Sequence, residues 1–382
     1  MLKHSMKKTF IVLATVLLSV MLIVSCKNSP EKDEDSAIKL TYVLKDVDGN
    51  YEGSFKDSSA KTVVKGVEKV TLPTASDLTA PTGTTFDGWY TEKDSSGNRT
   101  YYAGGAEFTL TQSTKLYANW IDNSLEYKST ESDATVLTVI PKADVTATTY
   151  KVSSWYHGKK VTVVGDFQAV KDYITSIKLP DTIKTISNSA FRYCSKMTSC
   201  NLPDGLETIG SNAFEDAGLT GKVTLPASVT SIGSLSFTGN SKLTSFEFAA
   251  GSTLTEIPSH MFSGCGFTSF PELPTTVTKI GSCAFQQSSL KNVSIPNTIT
   301  EIAASAFYDC GSLETVEIGT GITKIATDAF DGCSSLASIT IKKPTADVKN
   351  ITGWDSCWRV NDSEDDPDLV TTKVYSSEGQ IR

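Results

Sequence analysis

The sequence predicts a mainly β protein with short helical turns, built as a solenoid of stacked rungs behind a small β domain. Three observations carry that expectation. A phenylalanine, usually in the pair Ala-Phe, returns at Phe191, Phe214, Phe237, Phe262, Phe285, Phe307 and Phe330, in steps of 23, 23, 25, 23, 22 and 23 residues. Between these phenylalanines lie short apolar runs that end in proline, such as "LKNVSIP", which fit a strand and its stop. Residues 38–121 alternate apolar and polar at both ends, "IKLTYVLKD" and "TKLYANW", with Gly, Pro, Asn and Ser turn signals between them.

The chain has 382 residues, and its first 25 read as a secretory signal. Lys7 and Lys8 form a basic start, with Met6 as a second candidate initiator. An apolar run of 15 residues follows from Phe10 to Val24, shorter than the roughly 20 that a membrane helix needs. The run ends "LIVSC", which resembles a bacterial lipobox; the resemblance implies that Cys26 is lipidated and becomes the first mature residue. Two or more acyl chains hold a protein stably on a membrane. The polar, charged residues 26–37 then form the lipidated cysteine and its tether. Without the first 25 residues, 32 basic face 43 acidic side chains, a net charge of −11. No basic cluster stands out, so nucleic acid and anionic lipid surfaces are poor partners, and no nucleic acid is expected.

Residues 38–121 carry "TYVL", "LPT", "GTTFDGWYT" and a closing "STKLYANW". The segment resembles the internalin B-repeat (Listeria–Bacteroides repeat) family, which implies a small β-grasp-like module used as a spacer or binding unit on bacterial surfaces. The stretch between Tyr51 and Val70 is longer and more polar than that family's pattern. Trp89, Tyr90 and Trp120 admit two readings. They are a sugar-binding platform, or Phe86, Trp89, Leu116 and Trp120 are the core that a domain of this size needs.

From 166 to 342 the unit reads L-x-x-[IV]-x-[IL]-P, then [VI]-T-x-I-G-x-x-A-F-x-x-C, with Phe167 beginning the series. In one rung Leu290, Val293 and Ile295 supply the strand, while Ile299, Ile302, Ala306 and Phe307 return to the core from the other side. No rung buries these residues alone, and stacking at about 4.8 Å per strand does. A period in the low twenties belongs to leucine-rich repeats. The unit resembles the BspA-like, or Treponema-type, repeat, whose members are commonly bacterial surface proteins associated with adhesion to host matrix and to other bacteria. Both ends of a solenoid need closing. Residues 122–165 read as an N-terminal cap, and 343–382 as a degenerate last repeat and C-terminal cap in which Trp354 and Trp358 cover the final face and "TTKVY" adds a strand.

Chemistry-bearing residues are sparse. Cys194, Cys265, Cys310 and Cys333 each follow a repeat phenylalanine by three, where other rungs place Ala217, Asn240 and Ser288. That pattern predicts a tight buried turn. Cys310 and Cys333 lie on adjacent rungs, as a disulfide pair or as buried thiols. His4, His157 and His260 are the only histidines, and no metal-ligand spacing, nucleophile motif or phosphate loop surrounds them. No enzyme, cofactor or metal is expected. Glu256, Lys279, Glu301 and Lys324 alternate in sign at one repeat position, as a ligand stripe or as register support. The period breaks at "FEFAAGSTLTEIPSHMF", and "FTSFPELP" follows; "LTGKVTLP" carries an extra residue at Gly221 or Lys222. Extra residues loop out at one edge, and such loops carry function. Ala249, Ala250, Gly251 and Ser252, with Pro271 and Glu272, are therefore the candidate binding edge. The expected function is a lipid-anchored cell-envelope protein, on the outer membrane and facing outward. Its solenoid binds a host matrix or bacterial surface protein. An envelope scaffold and a glycan-binding surface subunit are the alternatives.

Overall fold

The computed structural model describes residues 38–56, 68–129, 135–353 and 372–381. Cys26, the apolar run before it, and Trp354 and Trp358 lie outside the described residues.

Near the N-terminus, four strands form a sheet in the order Leu40–Val43, Thr114–Asp122, Thr84–Tyr90 and Tyr101–Tyr102. The first two run parallel and the other pairs antiparallel. One face buries Leu40, Trp89, Leu116, Ala118 and Trp120, with Tyr42 and Phe86 packed against them. Both indoles are satisfied inside: Trp89 Nε1 donates to the Pro73 carbonyl (2.8 Å) and Trp120 Nε1 to the Leu44 carbonyl (2.9 Å). With Trp89 and Tyr90 0% and Trp120 1% exposed, these rings are core and not a sugar platform.

Two residues, Asn123 and Ser124, separate that sheet from the next strand, Leu125–Ser129, which opens the solenoid. Side-chain bonds fasten the junction. Asp48 accepts from Ser154 N (2.7 Å) and Ser154 Oγ (2.5 Å). Asn119 Nδ2 donates to the Trp155 carbonyl (3.0 Å), and Tyr51 donates to Asp122 (3.1 Å).

Each rung has three sides. A short-strand side stacks Lys159–Val164, Thr185–Ile186, Thr208–Ile209 and Ser231–Ile232 in parallel, then Glu256–Ile257, Lys279–Ile280, Glu301–Ile302 and Lys324–Ile325. A long-strand side includes Ser176–Lys178 and Ser199–Cys200, then Gly221–Leu225 and Leu243–Phe248, then Asn292–Ile295, Thr315–Ile318 and Ser338–Ile341. Lys373–Ser376 adds a further parallel strand to the last group. In one rung the inward residues Leu290, Val293, Ile295, Ile299 and Ile302 are at most 2% exposed. A four-residue helix, Thr345–Val348, is the one α-helix among the described residues.

The third side is a turn that carries the phenylalanine. All seven repeat phenylalanines, and Phe167 before them, are 0% exposed. Their rings form one file with centroids 5.1–5.4 Å apart at every step except Phe237 to Phe262. Residues two before and two after each repeat phenylalanine have left-handed backbones, such as Asn212 (φ 59°) and Asp216 (φ 50°) around Phe214. That conformation costs an L-residue about 1–2 kcal/mol. It is held because alternating right- and left-handed residues aim N–H groups toward the next rung. From Phe191 to Phe307, the phenylalanine and both left-handed residues donate to carbonyls of the following rung at 2.7–3.3 Å.

Candidate binding edge at the interrupted rung

The step of 25 residues between Phe237 and Phe262 changes all three sides of the coil. The extra residues fall in a turn directly after the strand Leu243–Phe248. Ala249 N–H bonds back to the Leu225 carbonyl (2.9 Å), and Ser252 N–H closes the turn on the Ala249 carbonyl (3.2 Å). Ala250 and Gly251 extend this turn, with Gly251 exposed. Gly251 is left-handed (φ 87°), and a Cβ there would approach only Ala227 Cβ, at 4.0 Å, so the turn points away from the coil. Ser252 is buried, and its hydroxyl has no partner among the described residues.

On the short-strand side a proline breaks the ladder. The carbonyls of Ile186, Ile209, Ile257, Ile280 and Ile302 each accept an N–H from Gly210, Gly233, Gly281, Ala303 and Ala326 on the next rung. The matching residue after Ile232 is Pro258, which has no N–H to give. The bond that Thr255 N–H would give to Thr230 O, made at the equivalent place by Thr230 to Glu207 and by Thr278 to Thr255, is also missing among the described residues, and Ser231–Ile232 and Glu256–Ile257 end separate sheets.

On the long-strand side residues 267–273 form no strand. Among the described residues, no backbone hydrogen bond joins them to Leu243–Phe248 before or to Asn292–Ile295 after. Pro271 is buried in this segment, while Glu272 is exposed with no ion partner within 4 Å among the described residues. Phe270 leans onto Phe285 and Phe307 at 5.1 and 6.1 Å. The phenylalanine file opens here too. Phe237 and Phe262 stand 6.3 Å apart, with Phe246 against both at 5.2 and 4.8 Å. Only the turn-side ladder crosses unchanged, through Leu235, Phe237 and Gly239. An earlier gap, before Gly221–Leu225, is milder. Thr220 N–H still reaches the Thr198 carbonyl (3.2 Å), and the following pair shifts register between Gly221 and Lys222.

The structure thus brings Ala249, Ala250, Gly251 and Ser252 into one turn and places Pro271 and Glu272 on the next rung. The alternating charges meet in register: Lys279 lies 3.9 Å from Glu256 and Lys324 2.9 Å from Glu301. Exposed pairs of this kind contribute about 0–1 kcal/mol.

The residue three after the phenylalanine has a defined job. Cys265, Cys310 and Cys333 donate through Sγ to the phenylalanine carbonyl of the preceding rung at 3.3, 3.1 and 3.1 Å. Asn240 does so through Nδ2, to Phe214 O (2.8 Å), and also reaches Phe237 O of its own rung (2.7 Å). A small donor serves this position in four rungs, while Ala217 fills it with none and Cys194 Sγ reaches only Arg192 O, at 4.0 Å. Burial pushes the Cys265 and Cys194 thiols up to about 12, which keeps them protonated. Cys310 and Cys333 are free thiols in the structure. Cys200, on the long-strand side, is half-buried against the core. No group of three or more His, Cys, Asp or Glu is placed to hold a metal among the described residues. His260 is left-handed, and its buried Nδ1 has no partner there. The carboxylate of Asp46 faces the N–H groups of Asp48, Asn50 and Tyr51, which fill it as a turn cap. No helix among the described residues is long and apolar enough to cross a membrane.

Sequence reading missed the part played by His157. It takes the first place of the turn His157–Gly158 between Trp155–Tyr156 and Lys159–Val164, and its Nδ1 lies 2.9 Å from buried Asp87. The available signal was a His-Gly pair between two short β runs.

Residues 165–271 and 255–353 match the BspA type leucine rich repeat region family, in six copies. No curated protein matches the chain. Among solved structures, a leucine rich cell surface protein from Faecalibacterium prausnitzii A2-165 is similar, at 24% identity over 58% of this chain and 69% of that one, with a TM-score of 0.46. The pneumococcal vaccine antigen PcpA is similar at 22% identity over 58% and 71%, with a TM-score of 0.44. A leucine rich repeat protein of T. pallidum is similar at 24% identity over 56% and 88%, with a TM-score of 0.40. With the repeat unit, the stacked phenylalanines and the family match in agreement, residues 165–353 are BspA-type leucine-rich repeats.

Proposed function

We propose that the chain is a cell-surface protein, lipid-anchored through Cys26, whose solenoid binds a protein partner in adhesion to host matrix or to other bacteria. Recognition centres on the edge formed by Ala249, Ala250, Gly251 and Ser252 with Pro271 and Glu272. One observation carries this reading: both strand ladders lapse at the same rung, beside a protruding turn, while the rungs after it are regular. Unpaired backbone groups at a sheet edge are a template for another chain, and a repeat array offers its partner an extended surface. The lipobox-like "LIVSC" supports the anchor. The "FDGWYT" and "LYANW" motifs support an internalin B-repeat-like module at residues 38–121. Its side-chain bonds to the solenoid cap favour a rigid extension over a free spacer. This reading assigns the chain no catalysis.

The test is capture by the full chain of matrix proteins and of bacterial cells. Deleting Ala250 and Gly251 restores a step of 23 residues, as between Phe262 and Phe285, and is expected to weaken capture while leaving the melting temperature nearly unchanged. Full capture by the shortened protein removes the edge from consideration.

A further inference from the structure

A second site lies away from that edge, where the N-terminal sheet meets the solenoid cap. A groove of about 470 Å³ opens there, lined in part by Phe86, Asn123, Tyr127, Lys142, Tyr156 and His157. One wall is aromatic. The rings of Tyr127 and Tyr156 stack at 4.7 Å with 13° between their planes, and the His157 imidazole lies 4.1 Å from Tyr156.

The histidine is held in place. Both His157 (φ 47°) and Gly158 (φ 79°) are left-handed, as a two-residue hairpin turn requires. Asn-Gly or Asp-Gly serves such a turn well, so the imidazole is there for something besides the turn. Asp87, whose side chain is 0% exposed, accepts the His157 backbone N–H at 3.1 and 3.3 Å and sits 2.9 Å from Nδ1. Tyr90 (2.6 Å) and Asn119 (3.3 Å) donate to the same carboxylate and fix it. A neutral imidazole that gives Nδ1–H to Asp87 presents Nε2 as an acceptor on a ring that is 60% exposed.

The acids around the groove are already engaged inside the protein. Asp122 takes Ser124 and Tyr51, and Glu126 takes Lys128 at 2.8 Å. The Lys142 ammonium has no ion partner within 4 Å among the described residues and acts on the Glu126 carboxylate only from farther off, and the Asn123 amide has spent its oxygen on Thr85 but keeps its NH₂. The uncommitted groups are therefore a cation, an amide donor, a ring-nitrogen acceptor and an aromatic wall. A ligand that answers all four has a carboxylate for Lys142 and Asn123, a hydroxyl for His157 Nε2, and a C–H face for the rings.

We propose that this groove binds a carboxylated saccharide of the hexuronic acid class. Lys142 pairs the carboxylate, and His157, oriented by Asp87, selects a hydroxyl. The site is independent of the protein-binding edge. Calorimetric titration of the full chain with trigalacturonate, and with neutral maltotriose as control, tests it. Saturable binding of trigalacturonate is expected, and much weaker binding of maltotriose. Lys142→Gln, at an exposed position, should weaken trigalacturonate binding by at least about tenfold, the scale of a lost hydrogen bond to a charged group, and His157→Asn, which keeps a left-handed turn residue, by about three- to tenfold, the scale of a neutral one. Lys142→Gln should melt with the wild type, while His157→Asn, which gives up the Nδ1 contact with buried Asp87, should melt lower but still fold. Absence of saturable trigalacturonate binding overturns the site. Equal affinity for maltotriose overturns the carboxylate assignment, and wild-type affinity in both variants overturns the groove as the location.

Discussion

The rungs from Lys279 to Ile341 and the step from Leu243 to Leu273 are built from the same repeat unit, yet they hold together differently. In the first region the short strands, the long strands and the turn side all pair with their neighbours in register. In the second, both strand ladders lapse and the turn side alone continues. The difference ranks the three sides. The strand ladders can be lost locally without ending the stack, whereas the phenylalanine turn, with its two left-handed residues and three inter-rung bonds, is kept at every step from Phe191 to Phe307. The turn is the spine, and the strands are its variable surface.

The largest expected effect strikes that spine. Phe285 is 0% exposed and stacks between Phe262 (5.4 Å) and Phe307 (5.3 Å). Phe285→Ala should cost about 3–5 kcal/mol, as aromatic truncations in packed cores do. A denaturation midpoint equal to wild type would show that the file of rings does not carry the stack.

Next in size is Asn240→Ala. The Asn240 amide donates to Phe214 O and Phe237 O and accepts Leu219 N–H (2.9 Å). Without it Phe214 O keeps Ala217 N–H (3.3 Å) and Phe237 O keeps Cys265 Sγ (3.3 Å), but the Leu219 N–H is left unpaired, at about 1–3 kcal/mol for a buried group. Cys310→Ser, by contrast, keeps a donor to Phe285 O (3.1 Å) and should cost far less. Equal losses in the two variants, measured by urea denaturation, would mean that volume and not the donor decides this position.

These two sites also mark how far the sequence could be read. The phenylalanine period, the inward-facing residues and the shift at Gly221 follow from spacing alone, because each rung repeats the same local pattern. The role of Asn240 does not, because two of its partners lie on a neighbouring rung and its position holds Cys, Ser and Ala elsewhere. The candidate edge was legible as an insertion. That Pro258 severs the second ladder was not, since its partner is the Ile232 carbonyl one rung away and a missing N–H leaves no mark in the hydrophobic pattern. The Asp87–His157 contact joins residues 70 apart in different sheets, beyond the reach of any periodicity.

Pro258→Ala would bring the interrupted step closer to the regular one. It returns an N–H for the Ile232 carbonyl, a gain of about 0.5–1.5 kcal/mol, against about 0.4–1 kcal/mol lost because the unfolded chain becomes freer. The net change in stability should be small. Hydrogen exchange is the sharper measurement. Wild-type amides of residues 267–270 should exchange faster than those of Val293 and Val316, which lie in paired strands, and the amide that the substitution creates at position 258 should be protected. Slow exchange throughout 267–270 would mean that bridging solvent or an uncaptured partner closes the gap, and the contrast between the two regions would weaken.

The smallest expected effect concerns the left-handed positions themselves. Two residues before the phenylalanines stand Ser189, Asn212, Leu235, His260, Cys283, Ser305 and Asp328, with no glycine among them. Two residues after, Gly239, Gly264 and Gly332 appear. Packing explains part of this asymmetry: a Cβ at Gly239 would lie 1.9 Å from Asp216 Oδ1, and one at Gly332 would lie 3.0 Å from Asp309 Cα. The upstream column has room for side chains, so each of its members bears the left-handed cost without a steric reason to avoid it. Leu235 (φ 60°) is the least suited of them, since Asn, Asp and His tolerate this region far better. Leu235→Asn should therefore stabilise the protein by up to about 1 kcal/mol, within the left-handed cost for such a residue. Leu235 is half-buried, which works against that gain. A rise in melting temperature would show that backbone conformation governs the turn side even beside the interrupted step. A fall would show that the Leu235 side chain helps to cover the core where the ring file opens to 6.3 Å.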